Sequence, residues 1–98
     1  MGYGILLEFG KNVTKTQYDA VNEKLGIDMT KGTGDFPKGL RSHAGGATAD
    51  GFVVFEVRDS KAEQEAFMGS RLGAALGAAG VPEPTRVVDV ELTGFATP

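Results

Sequence analysis

The sequence has no cysteine and no tryptophan, and it has a single histidine. Without cysteine there can be no disulfide bond, no thiolate zinc site, no iron–sulfur cluster and no cysteine nucleophile. Basic residues are not in excess either, since 10 basic and 13 acidic side chains give a net charge of −3. No general electrostatic attraction therefore draws the chain to nucleic acid or to an anionic membrane surface.

Long apolar runs are also missing, because no stretch approaches the roughly 20 residues that cross a membrane. The first residues have no basic segment before their short apolar run, so no secretory signal is predicted. We expect a cytoplasmic protein with no membrane partner and no nucleic-acid partner. The sequence also gives no sign of a cofactor.

The residues that are present suffice for one small domain. Of the 98 residues, 41% are hydrophobic and 23% are charged, which is typical of a globular chain. We therefore expect a single domain over residues 1–98. A domain of this size buries only about two-thirds of the surface that its unfolded chain exposes. A second copy would add stability, so a homodimer is expected.

Local signals predict six elements along the chain. Capping boxes at Thr14/Gln17 and Ser60/Glu63 mark the starts of two helices, which glycines at 26 and 80 end. Asp50-Gly51 marks a hairpin. The predicted strands are 3–9, 40–49, 52–57 and 86–93, and the predicted helices are 14–25 and 60–79. This βαββαβ order predicts an α+β, ferredoxin-like fold, a four-stranded antiparallel sheet with two helices on one face.

Alternation along the strands predicts which residues the helices leave uncovered. A turn at Asp50-Gly51 pairs Ala49 with Phe52 and places His43 opposite Arg58. The more apolar set is expected under the helices, namely Ile5, Leu7, Phe9, Val53, Phe55, Val57, Val88, Val90 and Leu92. The open face would then carry Leu6, Glu8, Arg41, His43, Phe52, Val54, Glu56, Arg58, Val87, Asp89 and Glu91. Such a half-apolar face favours closure against a second copy.

The element order, the length and the strand Phe52–Val57, followed at once by a helix capped at Ser60, resemble the dimeric α+β barrel superfamily. This superfamily includes small antibiotic-biosynthesis-type monooxygenases. The resemblance implies a homodimer and a cofactor-independent monooxygenase or isomerase that acts on a small aromatic or polyketide-like molecule. Haem-degrading members use an Asn, a Trp and a His together, and this chain lacks the Trp.

The candidate site lies on the predicted open face. Imidazole exchanges a proton near neutral pH, which makes His43 the candidate general base. Arg41, the second candidate catalytic residue, or Arg58 would stabilise negative charge on the substrate. The other candidate substrate-binding residues are Phe52, Glu56, Asp89 and Glu8. One histidine is not enough for a metal site.

Each assignment has a structural alternative. His43 could be a surface histidine without a function, and the two arginines could pair with Glu56, Asp89 or Glu91. The whole face could belong to a non-catalytic dimer that binds a ligand or a partner. The sequence leaves both interpretations open.

Overall fold

The computed structural model describes residues 2–98. The strands are β1 (Tyr3–Phe9), β2 (Ile27–Asp28), β3 (Thr33–Gly34), β4 (Leu40–Thr48), β5 (Gly51–Arg58) and β6 (Arg86–Glu91). The helices are α1 (Lys15–Leu25), α2 (Lys61–Phe67) and α3 (Gly73–Ala78). The main sheet is antiparallel in the order β4-β5-β1-β6, and the helices cover one of its faces. The predicted ferredoxin-like α+β fold is confirmed, with a short β2-β3 ribbon inside the segment predicted as loop.

The predicted capping residues begin and end the helices. The backbone N–H of Thr14 donates to Gln17 Oε1 at 2.9 Å, and Ser60 Oγ accepts from the Glu63 N–H at 3.2 Å. Gly26 ends α1 in the left-handed conformation, at φ 76°. Polar side chains thus satisfy backbone groups at the first helical turn, and the backbone N–H of Gly26 bonds carbonyls of the last turn of α1.

The second helical segment is interrupted where a continuous helix was predicted. A π turn over Met68–Leu72 separates α2 from α3. The Ser70 hydroxyl donates to the Ala66 carbonyl at 2.6 Å, so a side chain competes there for a backbone acceptor. The flanking Gly69 and Gly73 add backbone freedom at the same point. The result is a wider turn that redirects the side chains following it.

The hairpin register differs from the prediction. Thr48 pairs with Gly51 and closes the hairpin, Ala47 pairs with Phe52, and His43 pairs with Glu56 rather than Arg58. The predicted pairing is therefore wrong by two residues along β4. Because side chains alternate with a period of two, this shift leaves the grouping of residues on each face unchanged.

The prediction of which β5 residues face the helices was also wrong. Ile5, Leu7 and Phe9 lie under the helices as predicted, but β5 adds Phe52, Val54, Glu56 and Arg58 to that side. β6 adds Val87, Asp89 and Glu91 to the same side, because Leu7 pairs with Val87. Both faces of β5 are rich in apolar residues, so alternation alone does not say which one the helices cover.

The open face is consequently more apolar than predicted. It carries Leu6, Val53, Phe55, Val57, Val88 and Val90, with Leu92 packed beside them. Its charged strand residues are Glu8 and Arg86, which pair with each other at 3.2 Å. None of the helices within residues 2–98 is long and apolar enough to cross a membrane.

Candidate functional site

A narrow cavity lies between the sheet and the helices. Its walls come from β1, β5, α1, the helical segment 67–76 and the segment between α1 and β4. The cavity has a volume of about 60 Å³. Its mouth opens to solvent, and about 640 Å³ is free of atoms when the solvent at the mouth is included. The walls are mostly aliphatic and aromatic, as in small-molecule sites. The polar side chains that line it are Tyr18, Asn22, His43 and Glu56.

A chain of side-chain hydrogen bonds runs from the cavity into the interior. Tyr18 Oη lies 2.6 Å from His43 Nε2, and His43 Nδ1 lies 2.6 Å from Glu56 Oε2. The other carboxylate oxygen, Glu56 Oε1, accepts from Arg58 Nε at 3.1 Å. The side chains of His43, Glu56 and Arg58 are 12%, 7% and 0% exposed. Both oxygens of the buried carboxylate therefore have a partner.

The state of Glu56 determines where the protons lie. Burial alone would raise the pKa of Glu56, but the hydrogen bond from His43 and the charge of Arg58 outweigh it and hold the pKa below its usual value. The ionised carboxylate accepts the proton of His43 Nδ1. This leaves His43 Nε2 to accept a hydrogen bond from the cavity side.

Tyr18 closes the chain of hydrogen bonds at the cavity. Burial raises the pKa of Tyr18, with the Asn22 side chain acting in the opposite direction, so the hydroxyl keeps its proton and donates it to His43. The ring packs on Phe52 with centroids 5.0 Å apart. It also lies against the backbone of β4, where a Cβ built on Gly45 would come within 2.8 Å of it. Gly45 thus makes the room that lets Tyr18 reach His43.

Arg58 acts on this site from behind the cavity rather than from its wall. Its guanidinium lies over the Phe67 ring, 4.9 Å from the centroid. Within residues 2–98 no hydrogen-bond partner meets its Nη1 or Nη2. Its charge compensates that of Glu56, and the pair keeps two ionised groups inside the fold.

Three other predicted site residues lie away from this cavity. Arg41 lies at an irregularity in β4 and pairs with Asp59 at 2.5 Å, with both side chains exposed. Glu8 lies on the open face, where Arg86 is its partner. The structural alternative predicted that Arg41 and Arg58 pair with Glu56, Asp89 or Glu91. Arg58 does pair with Glu56, whereas Arg41 pairs with Asp59 instead.

Asp89 belongs to a separate polar group at the edge of the sheet. It accepts a hydrogen bond from the Tyr3 hydroxyl and lies 3.4 Å from Lys61 Nζ. The Tyr3 hydroxyl, more than Lys61, holds the pKa of Asp89 below its usual value. The structure thus brings His43, Glu56, Arg58 and Phe52 together and leaves Arg41, Glu8 and Asp89 outside.

Sequence reasoning did not identify Tyr18 or Asn22 as site residues. Tyr18 was predicted to act as a hydrophobic staple, and Asn22 was given no role. The signal in the sequence was their spacing, because residues 18, 22 and 25 lie on one face of α1. Polar side-chain atoms on a helix face that packs against the core need hydrogen-bond partners.

The arrangement is suited to moving a proton and not to holding a metal. A carboxylate that orients an imidazole, whose other nitrogen faces an apolar cavity, is the usual geometry of a general base. In residues 2–98 no group of three His, Asp or Glu side chains could hold a metal ion.

Comparison with known proteins finds similarity in structure alone. No protein-family model matches the chain, and no curated protein matches it. A protein from Chloroflexus aurantiacus J-10-fl, named as an antibiotic biosynthesis monooxygenase, superposes with a TM-score of 0.65 at 16% identity, over 99% of this chain and 98% of that one. A monooxygenase from the gene ActVA-Orf6 of Streptomyces coelicolor, in complex with the ligand Nanaomycin D, gives 0.61 at 20% identity over 99% and 92%.

A third similar structure, described as a dimeric ferredoxin-like protein of unknown function, comes from Thermobifida fusca YX. It gives a TM-score of 0.50 at 23% identity, over 91% of this chain and 86% of that one. Identities this low show a shared fold and nothing finer. The chain has a ferredoxin-like fold, as its sequence predicted.

Proposed function

We propose that this protein is a small-molecule enzyme that removes a proton from an apolar, ring-bearing substrate held between the sheet and the helices. The observation that carries the proposal is the hydrogen-bonded series Tyr18–His43–Glu56, which begins at the wall of an apolar cavity and ends on a buried ion pair. Burying an imidazole and a carboxylate costs free energy of folding. Such a pair beside a cavity therefore points to a functional role.

Proton removal is the first step both of an isomerase reaction and of a cofactor-independent monooxygenase reaction. His43 takes the substrate proton through the Tyr18 hydroxyl, which accepts it while passing its own to Nε2. In an isomerase the proton returns to another atom of the substrate. In a cofactor-independent monooxygenase the substrate carbanion reacts with dioxygen. One oxygen atom stays on carbon, and the other leaves as water with the two substrate hydrogens.

The similar structures support this choice of chemistry over other uses of the fold. Two of them are named as monooxygenases, and the Streptomyces coelicolor protein is in complex with Nanaomycin D. The cavity of the present chain is narrow, but Met29 and Leu72 on its wall are only partly buried. Such flexible side chains can move aside for a ring.

The homodimer belongs to the same proposal. The apolar side chains of the open face lie on the side of the sheet opposite the helices, and contiguous apolar surface of this kind marks an interface. A second copy of the chain is the proposed occupant. The Thermobifida fusca structure, described as dimeric, supports the same arrangement.

The test uses dithranol, an anthrone whose ring methylene carries acidic hydrogens. Its oxidation by dioxygen to the anthraquinone with release of one water is followed by absorbance. We expect the wild-type protein to accelerate this reaction and His43→Gln to slow it at least 100-fold, because a general base contributes about 10² to 10⁴. Arg41→Gln, outside the cavity, is the matched control and should retain the wild-type rate. Equal rates for wild type and His43→Gln would contradict the proposal.

The second candidate function is ligand binding without turnover. It is favoured by one observation, that Tyr18 already occupies His43 Nε2 at 2.6 Å. In that case dithranol would bind and shift the ring signals of His43, and it would react no faster than in buffer.

A further inference from the structure

The cavity is too small for the ring that the proposed function places in it. Its volume is about 60 Å³, whereas a cavity of about 150 Å³ holds one benzene molecule. Protein interiors are close-packed and give little room without a rearrangement. Part of the wall must therefore move before a ring-bearing molecule can enter.

Most of the wall belongs to elements that are held on several sides. β1 lies between β5 and β6, and β5 lies between β4 and β1. Helix α1 begins with a capping box, and Val21 and Leu25 anchor it in the core. Moving one of these elements would break strand pairs or expose buried apolar side chains, which is costly.

The segment 27–38, which follows α1, is held less firmly. It contributes Met29 and Pro37 to the wall, and its own secondary structure is the β2-β3 ribbon of two residues per strand. A glycine with positive φ borders the segment at each end, Gly26 at 76° and Gly39 at 81°. Glycine tolerates a wide range of backbone angles, so the chain can swing at these two points.

One side chain ties this segment to the second helical segment. Arg71 Nη2 donates to the Leu25 carbonyl at 3.0 Å and to the Asp35 carbonyl at 2.6 Å, and it lies 3.1 Å from the Asp35 carboxylate. Within residues 2–98, no other side chain from outside the segment 27–38 forms a hydrogen bond with it. Moving the segment outward therefore requires the Arg71 contacts to break.

These contacts lie beside the cavity. The Arg71 guanidinium is 5.6 Å from the centroid of the Phe67 ring, and Phe67 lines the cavity. Leu72 follows Arg71 on the π turn and lines the wall as well, opposite the segment that carries Met29. Leu72 and Met29 are both only partly buried, so the wall reaches solvent on the two sides of the Arg71 contacts.

We propose that the segment 27–38 is the gate of the cavity and that Arg71 is its latch. A ligand enters or leaves when the Arg71 contacts are broken and the segment swings outward about Gly26 and Gly39. This inference rests on the proposed function, since it takes the cavity to bind a ring-bearing molecule, and it adds how that molecule enters. Closure of the gate shields the polar side chains of the cavity from water.

The first test measures how fast toluene, an uncharged ring without an ionisable group, enters and leaves. The line shapes of the Val54 methyl signals give both rates, because Val54 lines the cavity. The latch is formed in the free and in the bound protein and is broken only while the gate is open. Arg71→Leu should therefore raise the entry rate and the exit rate about tenfold each, the worth of one hydrogen bond, and leave the dissociation constant nearly unchanged.

Arg41→Leu is the matched control, because it removes an exposed ion pair with Asp59 that lies away from the cavity. Both of its rates should equal those of wild type. Rates that are equally unchanged in Arg71→Leu, or a weaker dissociation constant with an unchanged entry rate, would overturn the latch. If Arg71→Leu does not fold, Arg71→Lys replaces it. This variant keeps an aliphatic stem over Phe67 without the guanidinium, and it should raise both rates by a smaller factor.

A second measurement leaves Arg71 in place. Because the chain has no cysteine, Lys31→Cys can carry a trifluoromethyl label at one exposed point of the segment. Fluorine relaxation should show the segment opening at least as fast as toluene leaves, and the same label at Lys11, in the turn after β1, should show no such motion. Toluene that leaves faster than the segment opens would overturn the gate.

The outcomes separate this inference from the proposed function. If toluene exchanges through the gate but His43→Gln oxidises dithranol as fast as wild type, the proposed function fails and the gate stands. If dithranol oxidation depends on His43 but toluene leaves the Val54 signals unmoved, the gate fails and the proposed function stands. If toluene does not reach Val54 and the oxidation does not depend on His43, both fail.

Discussion

Glu56 is the residue on which the interior of this protein depends. It is a carboxylate buried beneath the sheet that accepts hydrogen bonds from His43 on one oxygen and Arg58 on the other. Removing one member of a buried ion pair leaves the other charged and unsolvated, which costs more than the pair itself contributes. The same carboxylate fixes which nitrogen of His43 faces the cavity. Stability and the proposed proton transfer therefore depend on the same side chain.

Glu56→Gln should lower the free energy of unfolding by about 3 kcal/mol at pH 7, because Arg58 loses its counter-ion. The effect should depend on pH in one direction. The folded pKa of Glu56 lies below its ordinary value of 4.5, so its stabilisation is present above pH 4.5 and is lost as the pH falls through the folded pKa. Urea unfolding at several pH values should show a gap between wild type and variant that narrows in acid.

Glu65→Gln is the matched control, since this carboxylate is exposed and lies 3.9 Å from Lys61. Its effect should stay below about 0.5 kcal/mol at every pH. A gap between wild type and Glu56→Gln that stays constant from neutral to acid pH would contradict the role assigned to the buried carboxylate.

Gly45→Ala should disturb the site without disturbing the strand. The added methyl would lie 2.8 Å from the Tyr18 ring and would push it away from His43. Alanine is otherwise accommodated in a strand, so we expect the ring signals of His43 to shift and dithranol oxidation to fall at least tenfold. Gly46→Ala is the control, because a Cβ there meets nothing within 4 Å. Equal activity of the two variants would show that Tyr18 is not held by Gly45.

One arginine on the π turn connects the second helical segment to the chain between α1 and β4. Arg71 donates to the Leu25 carbonyl at 3.0 Å and to the Asp35 carbonyl at 2.6 Å, and its guanidinium lies 3.1 Å from the Asp35 carboxylate. These contacts connect the helical segment to the chain between α1 and β4, part of which forms the cavity wall. The wide turn at Met68–Leu72 thus positions Arg71, whose contacts stabilise the segment between α1 and β4.

Arg71→Leu should loosen that segment while the sheet stays intact. We expect faster hydrogen exchange at the Asp35 amide, which bonds the Gly26 carbonyl at 2.9 Å, and a loss of about 1–2 kcal/mol in the free energy of unfolding. Arg41→Leu removes an exposed ion pair and should cost less than about 1 kcal/mol. Exchange at Asp35 that is the same in wild type and Arg71→Leu would contradict this assignment.

The elements themselves could be predicted from local chemistry, because caps and turns act within a few residues. Thr14, Ser60 and Gly26 each set a helix end through a contact with a neighbour in sequence. The sides of β5 and β6 could not be predicted in this way. The apolar residues on both faces of β5 fit either side, so alternation within the strand does not decide which face the helices cover.

The candidate site could be predicted in part for the same reason. His43, Glu56, Arg58 and Phe52 share one face of the hairpin whichever side that face takes, so their grouping followed from alternation alone. Arg41 lies at a local irregularity in β4, which alternation does not predict. Asp89 was grouped with them, but its hydrogen-bond partners hold it at the edge of the sheet. Tyr18 and Asn22 needed the helix to be placed against the sheet before their roles could be seen.

The molecule as a whole presents two apolar sheet faces, and its own helices cover one of them. We therefore expect a homodimer with a solution mass near twice 10.2 kDa. Phe55, 36% exposed on the open face, lies within the proposed interface. Phe55→Glu should yield a monomer in sedimentation or light scattering, because burying the charge is costly. Val87→Glu, on the other side of the sheet, should leave the mass unchanged, and a dimeric Phe55→Glu would exclude this face as the interface.

The proposed chemistry requires that a small apolar molecule binds between the sheet and the helices, next to Tyr18 and His43. Binding there can be observed by adding acetophenone to the labelled protein and recording its carbon–proton correlation spectrum. Val54 and Val53 are neighbours in β5 that face opposite sides of the sheet, so their methyl signals report the two faces separately. We expect shifts at Val54, Leu7 and the His43 ring and none at Val53. Shifts at Val53, with Val54 and His43 unmoved, would place the ligand on the open face and refute binding beside His43.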